Sequence, residues 1–250
     1  MRFSDKIVVV TGAGSGIGAA TARRFSEEGA ILLLVGRTES KLEETAREMD
    51  ADRTHIIVAD IAAEGDAERI VTAADDLGGI DVLVNNAGIA VGGTIENVTV
   101  GNWQRQIDVN LTGTFRMTKA AWPALKARRG NIVNVSSVSG LGGDWEMFAY
   151  NASKGGVSNM TRALALDGAK DGVRVNAVNP SFTASGMTTK MVGNEETIRK
   201  FSERMPLGAP ADPAAIAAVI AFLASEDARF VTGVNLPVDG GLMASNGQPA

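Results

Sequence analysis

The chain contains no cysteine, one histidine and one tyrosine. The missing thiols exclude disulfides, a thiolate nucleophile and zinc–sulfur sites. With one imidazole available, acid–base chemistry built on histidine has little to draw on. His55 lies in a stretch that reads as a strand, far in sequence from every motif below, and is read as structural. No His–carboxylate grouping suggests a catalytic metal, so none is expected. Long apolar runs are also lacking. The longest, ILLLV at 31–35 and AAIAAVIAFLA at 214–224, are too short to cross a bilayer. The opening MRFSDKIVVVTG has only a short apolar run before a glycine turn and does not read as a signal peptide. Basic charge is outweighed, with 24 Lys and Arg against 29 Asp and Glu. A net charge of -5 advertises no surface for nucleic acid or anionic lipid. The expectation is a soluble cytoplasmic protein whose partner is neither a membrane nor a nucleic acid.

What is present is an alternation of strands and helices. KIVVVT (6–11) ends in a glycine turn, and 17–28 then carries apolar residues at helical spacing. ILLLV is too apolar for a strand with one wet face, which predicts burial on both sides. A charged helix at 39–48, a strand THIIVAD (54–60), a helix at 64–77 and a strand DVLVN (81–85) follow. Residues 100–128 predict one long helix, with Trp103, Ile107, Leu111, Phe115, Trp122 and Leu125 as an apolar stripe and Pro123 kinking its last turns. Strands at 131–136, 174–179 and 234–241 alternate with helices at 149–170 and 212–224. The pattern predicts an α/β fold: a doubly wound, Rossmann-type parallel sheet of about seven strands with helices on both faces. No linker or repeat divides it, so residues 1–250 read as a single dinucleotide-binding and catalytic domain. The polar stretch 181–205 is long for a connection and reads as a mobile substrate lid.

Three local patterns suggest chemistry. TGAGSGIG (11–18) sits where the first strand meets the first helix, the place where glycines and a helix N-terminus receive a pyrophosphate. Its glycines, Gly12, Gly16 and Gly18, depart from the common G-x-G-x-x-G spacing. The second strand ends in Gly36-Arg37-Thr38. The acid that usually holds the ribose hydroxyls of NAD is absent there, and Arg37 offers a charge-assisted partner for a 2′-phosphate. NADP(H) is therefore favoured over NAD(H). YNASK (150–154) places Tyr150 and Lys154 one helical turn apart on one face. A free phenol ionises near about 10, too high for a base at neutral pH, and an adjacent ammonium is expected to lower that value.

Together with NNAG (85–88), Asn110 in VNLTG, NVSS (134–137) and Asn179-Pro180, these motifs occur in an order that resembles the short-chain dehydrogenase/reductase family in its single-domain branch. The resemblance spans essentially the whole chain. It implies that Gly12, Ser15, Gly16, Ile17 and Gly18 line the pyrophosphate, and that Asp60 and Ile61 flank the adenine. Asn86, Ala87 and Gly88 would run beside the adenosine ribose and pyrophosphate. Pro180 and Thr183 would border the nicotinamide, with Ser181, Thr183 and Ser185 departing from the family's usual Gly, Val or Ile, and Thr. It implies Tyr150 as general acid and base, Lys154 as its cation and ribose ligand, Ser137 as donor to the substrate oxygen, and Asn110 as holder of a water linking Lys154 to solvent. It also implies a homotetramer built through 100–128 and 149–170. The expected substrate is a small neutral alcohol or ketone, in a pocket formed by 138–148 and the lid, with Trp145, Met147 and Phe182 as candidate walls. SVSGLGGDW and PVDGGLMASNGQP resemble the family's bacterial 2,3-butanediol (acetoin) dehydrogenases, which carry an Asp at the end of strand two and use NAD. Gly36-Arg37 departs from that branch. A 3-oxoacyl thioester reductase is another reading, and so is an NADP(H)-sensing protein without turnover, a type that usually loses the Tyr or the Lys.

Overall fold

The computed structural model describes residues 1–245; the polar end of the chain at 246–250, with the last residues of the butanediol-dehydrogenase-like ending, lies outside the described residues. Seven parallel strands form one sheet in the order β3-β2-β1-β4-β5-β6-β7. They are β1 (Ile7–Thr11), β2 (Ile31–Gly36), β3 (Thr54–Val58), β4 (Val82–Asn85), β5 (Asn131–Val135), β6 (Arg174–Pro180) and β7 (Asn235–Val238). Strand order reverses between β1 and β4, and a crevice opens at the carboxyl ends of the strands on either side of such a point.

Alternation along each strand divides the core into two layers. Val8, Val10, Leu32 and Leu34 face α1 (Gly16–Glu27) and α9 (Pro213–Ala224), packing with Phe25, Ile216 and Ile220. Val9, Leu33, Leu83 and Ile132 face the other way, onto α3 (Asp66–Asp76) and α5 (Gly113–Arg128), packing with Ile70, Met117 and Leu125. Burial on both faces explains why β1 and β2 read as unbroken apolar runs. Each large side chain so enclosed contributes roughly 2 kcal/mol. The charged surface helix is α2 (Glu39–Ala46). α9 starts with Pro213 in its first turn, where a missing N–H costs nothing, and the Asp212 carboxylate accepts from Ala214 N at 2.8 Å.

The long helix at 100–128 differs from expectation. It consists of α4 (Val100–Ile107), a π-helical turn at Asp108–Thr112, and α5, which continues through Pro123 to Arg128. The extra residue in the π turn rotates the buried face. That face is Gln106, Val109, Asn110, Gly113, Thr114, Met117 and Ala121, whereas Phe115, expected inside, is 49% exposed. Close approach is the reason: a Cβ at Gly113 would lie 2.9 Å from the Ile61 side chain, so only small residues fit there. Trp103 instead stacks on Phe148, ring centroids 6.0 Å apart, at the start of α6 (Phe148–Ala169). The 181–205 stretch is more regular than its polarity suggests. It carries α7 (Thr189–Val192) and α8 (Glu195–Ser202), the latter capped by the Asn194 side chain accepting from Thr197 N at 2.9 Å.

Candidate active site

The cleft begins where β1 runs out. Gly12 has φ +67°, and a Cβ there would come within 2.8 Å of Asn86 Nδ2 and 2.9 Å of the Ala87 backbone. The turn therefore lies against the end of β4 and is stitched to it. Asn86 Nδ2 donates to Thr11 O at 2.9 Å, and Asn86 N and Ala87 N donate to Thr11 Oγ1 at 3.0 and 3.1 Å. Ser15, Gly16 and Ile17 open α1 on the cleft wall. Ser15 makes no side-chain cap and the first turn holds no acid, so the N–H groups at this positive end carry no side-chain anion. Gly18 has a different place from the one expected. It lies inside α1, off the cleft, where a Cβ would meet Gly12 O at 2.2 Å. Its smallness lets the helix approach the turn.

One flank of the cleft is made by the ends of β2 and β3. Arg37 and Asp60 line it and face each other, with Arg37 Nη1 3.6 Å from Asp60 Oδ2. The Asp60 Oδ1 atom accepts from Ala62 N at 3.0 Å. Ile61 is buried beneath, against Gly113. Ala87, Gly88, Pro180 and Thr183 also line the cleft.

At the opposite end stand Ser137, Tyr150 and Lys154. The i, i+4 spacing on α6 does bring Tyr150 and Lys154 together, the ammonium lying 5.9 Å from the phenol ring centroid. Lys154 is buried, and Nζ donates to Val135 O at 2.8 Å. Burial pushes its pKa down to about 8. The expected lowering of Tyr150 is not found. Burial pushes that phenol up to about 12; the Ser137 hydroxyl beside it opposes the shift and the Asp144 carboxylate adds to it. In the ligand-free protein the loss of solvation outweighs the Ser137 hydroxyl, so Tyr150 is held protonated. Ser136, the other serine of the pair, has its hydroxyl turned to Lys154 O at 2.9 Å. Ser137 is fixed from behind by Asn179 Nδ2, which donates to its carbonyl at 2.8 Å.

Asn110 lies behind the cleft wall, fully buried in the π turn. Its Oδ1 accepts from Ile89 N at 2.8 Å, and its Nδ2 donates to Ile89 O at 2.9 Å and to Ser153 Oγ at 3.0 Å. Protein atoms thus engage both ends of the side chain. A Cβ on Gly88 would sit 3.3 Å from Asn110 Oδ1 and 3.4 Å from Lys154 Nζ, so Gly88 separates the two. The candidate substrate walls do not assemble. Trp145 is 96% exposed, Met147 packs toward Gly92, and Phe182 is buried against Phe201 with centroids 4.6 Å apart. Two residues of the site were not foreseen. Thr11 was legible as the first letter of the glycine motif, but no local pattern marks Asp144, whose proximity to Tyr150 is tertiary.

The donor set suits a dinucleotide. It combines an anion-receptive helix start, a glycine turn, and a buried ammonium with three N–H groups and a single protein acceptor among the described residues. No group of three His, Asp or Glu among the described residues could hold a metal ion, and no helix among them is long and apolar enough to cross a membrane.

Residues 12–243 match the family model described as enoyl-(acyl carrier protein) reductase. The chain is 47% identical over 251 residues to meso-2,3-butanediol dehydrogenase of Serratia marcescens, covering 100% of this chain and 99% of that one. The chain belongs to the short-chain dehydrogenase/reductase family. It is accordingly an NAD(P)-dependent oxidoreductase acting on CH–OH groups, which interconverts a secondary alcohol and a ketone. Another relative in the family is the 3-oxoacyl-[acyl-carrier-protein] reductase of Thermotoga maritima, 37% identical over 97% of this chain and 100% of that one. A short-chain dehydrogenase/reductase of unknown function from Caenorhabditis elegans, solved with cofactor, superposes with a TM-score of 0.88 at 34% identity, covering 99% and 98% of the two chains.

Proposed function

We propose that this enzyme transfers hydride between NADP(H) and a small, neutral secondary alcohol or its ketone, with Tyr150 as proton donor and acceptor. The observation that carries the reading is one cleft with Ser137, Tyr150 and Lys154 at one end and Arg37 at the other. When bound, the nicotinamide supplies or accepts the hydride. Ser137 donates a hydrogen bond to the substrate oxygen. In reduction Tyr150 delivers its proton to that oxygen, and its protonated state in the free protein is the one reduction needs. Oxidation needs the phenolate, and Lys154, charged below about pH 8, is the cation at hand to stabilise it. The two remaining N–H groups of Lys154 hold the nicotinamide ribose. Asn110 keeps the Ile89 backbone and Ser153 in place around Lys154 and, by family resemblance, positions a water there. Arg37, at a strand end without an acid, holds the 2′-phosphate.

Residues 181–205 form the lid of this single domain. Ser185 already touches the glycine turn, since a Cβ at Gly16 would sit 2.9 Å from its own. The enzyme works as a cytoplasmic homotetramer. Phe115 on α5 and Leu166 on α6, 49% and 81% exposed, give those helices apolar surface to bury. The Serratia relative makes vicinal diols and hydroxyketones the first substrates to try.

The test is to mix purified enzyme with NADPH or NADH and a panel of ketones, including acetoin and a 3-oxoacyl thioester. Steady loss of reduced-nicotinamide absorbance, faster with NADPH, is expected. Binding without loss would point to a sensor, and preference for NADH to an NAD-dependent butanediol-type enzyme.

A further inference from the structure

Residues 86–94, the segment that leaves β4, carry no regular secondary structure, so their backbone N–H and C=O groups need partners from elsewhere. Two side-chain amides stand in for a neighbouring strand. Asn110 takes both backbone groups of Ile89. Gln106, fully buried in the last turn of α4, does the same for Val91. Its Oε1 accepts from Val91 N at 3.0 Å, and its Nε2 donates to Val91 O at 3.2 Å. The two amides lie four residues apart, about one turn, and grip alternate residues of the segment. Beyond Val91 the segment meets the loop that opens α6. Gly93 N donates to Glu146 O at 2.6 Å, and a Cβ at Gly92 would lie 3.3 Å from Met147 Sδ. Met147 is the N-cap of α6, three residues before Tyr150, and its carbonyl accepts from Asn151 N at 2.8 Å. The segment therefore runs from Gly88, beside Lys154 Nζ, to the start of the helix that carries Tyr150.

We infer that Gln106 is a positioning residue: by fixing Val91 it holds the 91–93 backbone against Glu146 and Met147, and so sets where the first turn of α6 puts the Tyr150 hydroxyl. Gln106 lines no part of the cleft and acts only through this backbone. An apolar side chain of similar size would fill its place but leave Val91 N–H and C=O without a protein partner. The segment would then shift to find new partners, and the start of α6 would shift with it. A displacement of about 1 Å at a reacting group can cost on the order of 100-fold in rate. The cofactor-lining part of the segment has other anchors. Asn86 is bound to Thr11, and Ile89 to Asn110, so those contacts persist without Gln106.

The inference rests on Tyr150 as the proton donor, so Tyr150→Phe is assayed beside Gln106→Leu and Gln106→Glu. A ketone reduced by wild type is the substrate, NADPH affinity is followed by fluorescence, and folding is followed by chemical denaturation. Gln106→Leu removes both bonds to Val91. In Gln106→Glu the protonated carboxyl offers one acceptor and one donor, as the amide does, whereas the carboxylate cannot donate to Val91 O. The expected result for Gln106→Leu is a loss of about tenfold or more in kcat with unchanged NADPH affinity. Gln106→Glu should keep near-wild-type kcat at low pH and lose it, relative to wild type at the same pH, as the carboxyl ionises. Wild-type kcat in folded Gln106→Leu overturns the inference, whatever its stability, and so does an equal loss of NADPH affinity, the mark of a general defect. If Gln106→Leu does not fold, Gln106→Glu decides alone: a kcat relative to wild type that does not change with pH overturns the inference. Wild-type turnover in Tyr150→Phe would sink the proposed function, and the inference with it.

Discussion

Replacing Lys154 by Met keeps the side chain's length and apolar stem and removes its charge. In the folded, cofactor-free protein burial depresses the Lys154 pKa from 10.5 to about 8. Between those values the unfolded chain holds a proton that the folded chain has lost, so stability attributable to this group rises with pH across that window. Below about pH 8 both states are charged and the full cost of burying the ammonium is present. Linkage puts that cost at about 3 kcal/mol at pH 7 and leaves less than about 1 kcal/mol at pH 10. Lys154→Met also loses the bond to Val135 O, but that loss does not depend on pH. Tyr150, whose pKa burial raises from 10.0 to about 12, contributes stability that is lost as pH climbs through that higher range, equally in both proteins. Urea unfolding of both cofactor-free proteins at pH 7 and pH 10 isolates the charge. The stability of wild type relative to Lys154→Met should increase by about 2 kcal/mol between the two conditions. A change below about 0.5 kcal/mol would refute the claim that burial depresses the Lys154 pKa.

The other predictions bear on single contacts. Tyr150→Phe should lower kcat by about 10²–10⁴-fold while NADPH affinity, followed by fluorescence, stays near wild type; substantial residual turnover would remove Tyr150 from the proton step. Arg37→Ala should weaken NADPH about tenfold or more and leave NADH nearly unchanged, and equal effects on both would exclude a contact to the 2′-phosphate. Gly18→Ala places a Cβ 2.2 Å from Gly12 O and 2.5 Å from Asn86 Nδ2. Backbone must shift, so it should cost roughly 2 kcal/mol or more in chemical denaturation and also loosen cofactor binding; an unchanged unfolding midpoint would contradict the packing. Trp145→Ala, at a side chain that packs on nothing, should leave stability within about 0.5 kcal/mol on a thermal melt.

What can be read along the chain depends on how local its cause is. The strands announced themselves because β1 and β2 are enclosed on both faces and are apolar throughout. The turn after β1 was legible because a positive φ at Gly12 and a tight approach at Gly18 demand glycine whatever surrounds them. Tyr150 and Lys154 were legible as a pair through their one-turn spacing, a property of helix geometry, whereas Ser137 was implied only by the family resemblance. The misread helix at 100–128 shows the limit. Its stripe assumed an unbroken 3.6-residue period, and one π turn moved Phe115 outward and Asn110 inward.

By itself the sequence determined the fold class, the place of the glycine turn and the one-turn separation of Tyr150 and Lys154, because each follows from backbone sterics and periodicity. Only the tertiary structure decided the charge states and the partners. Tyr150 lies high and Lys154 low because of the atoms packed around them. Arg37 meets Asp60, and Ser137 donates to Ser139, which donates to Asp144, because adjacent strand ends and a folded loop put them there. Solvation and through-space contact belong to the assembled fold, and no pattern along the chain encodes them.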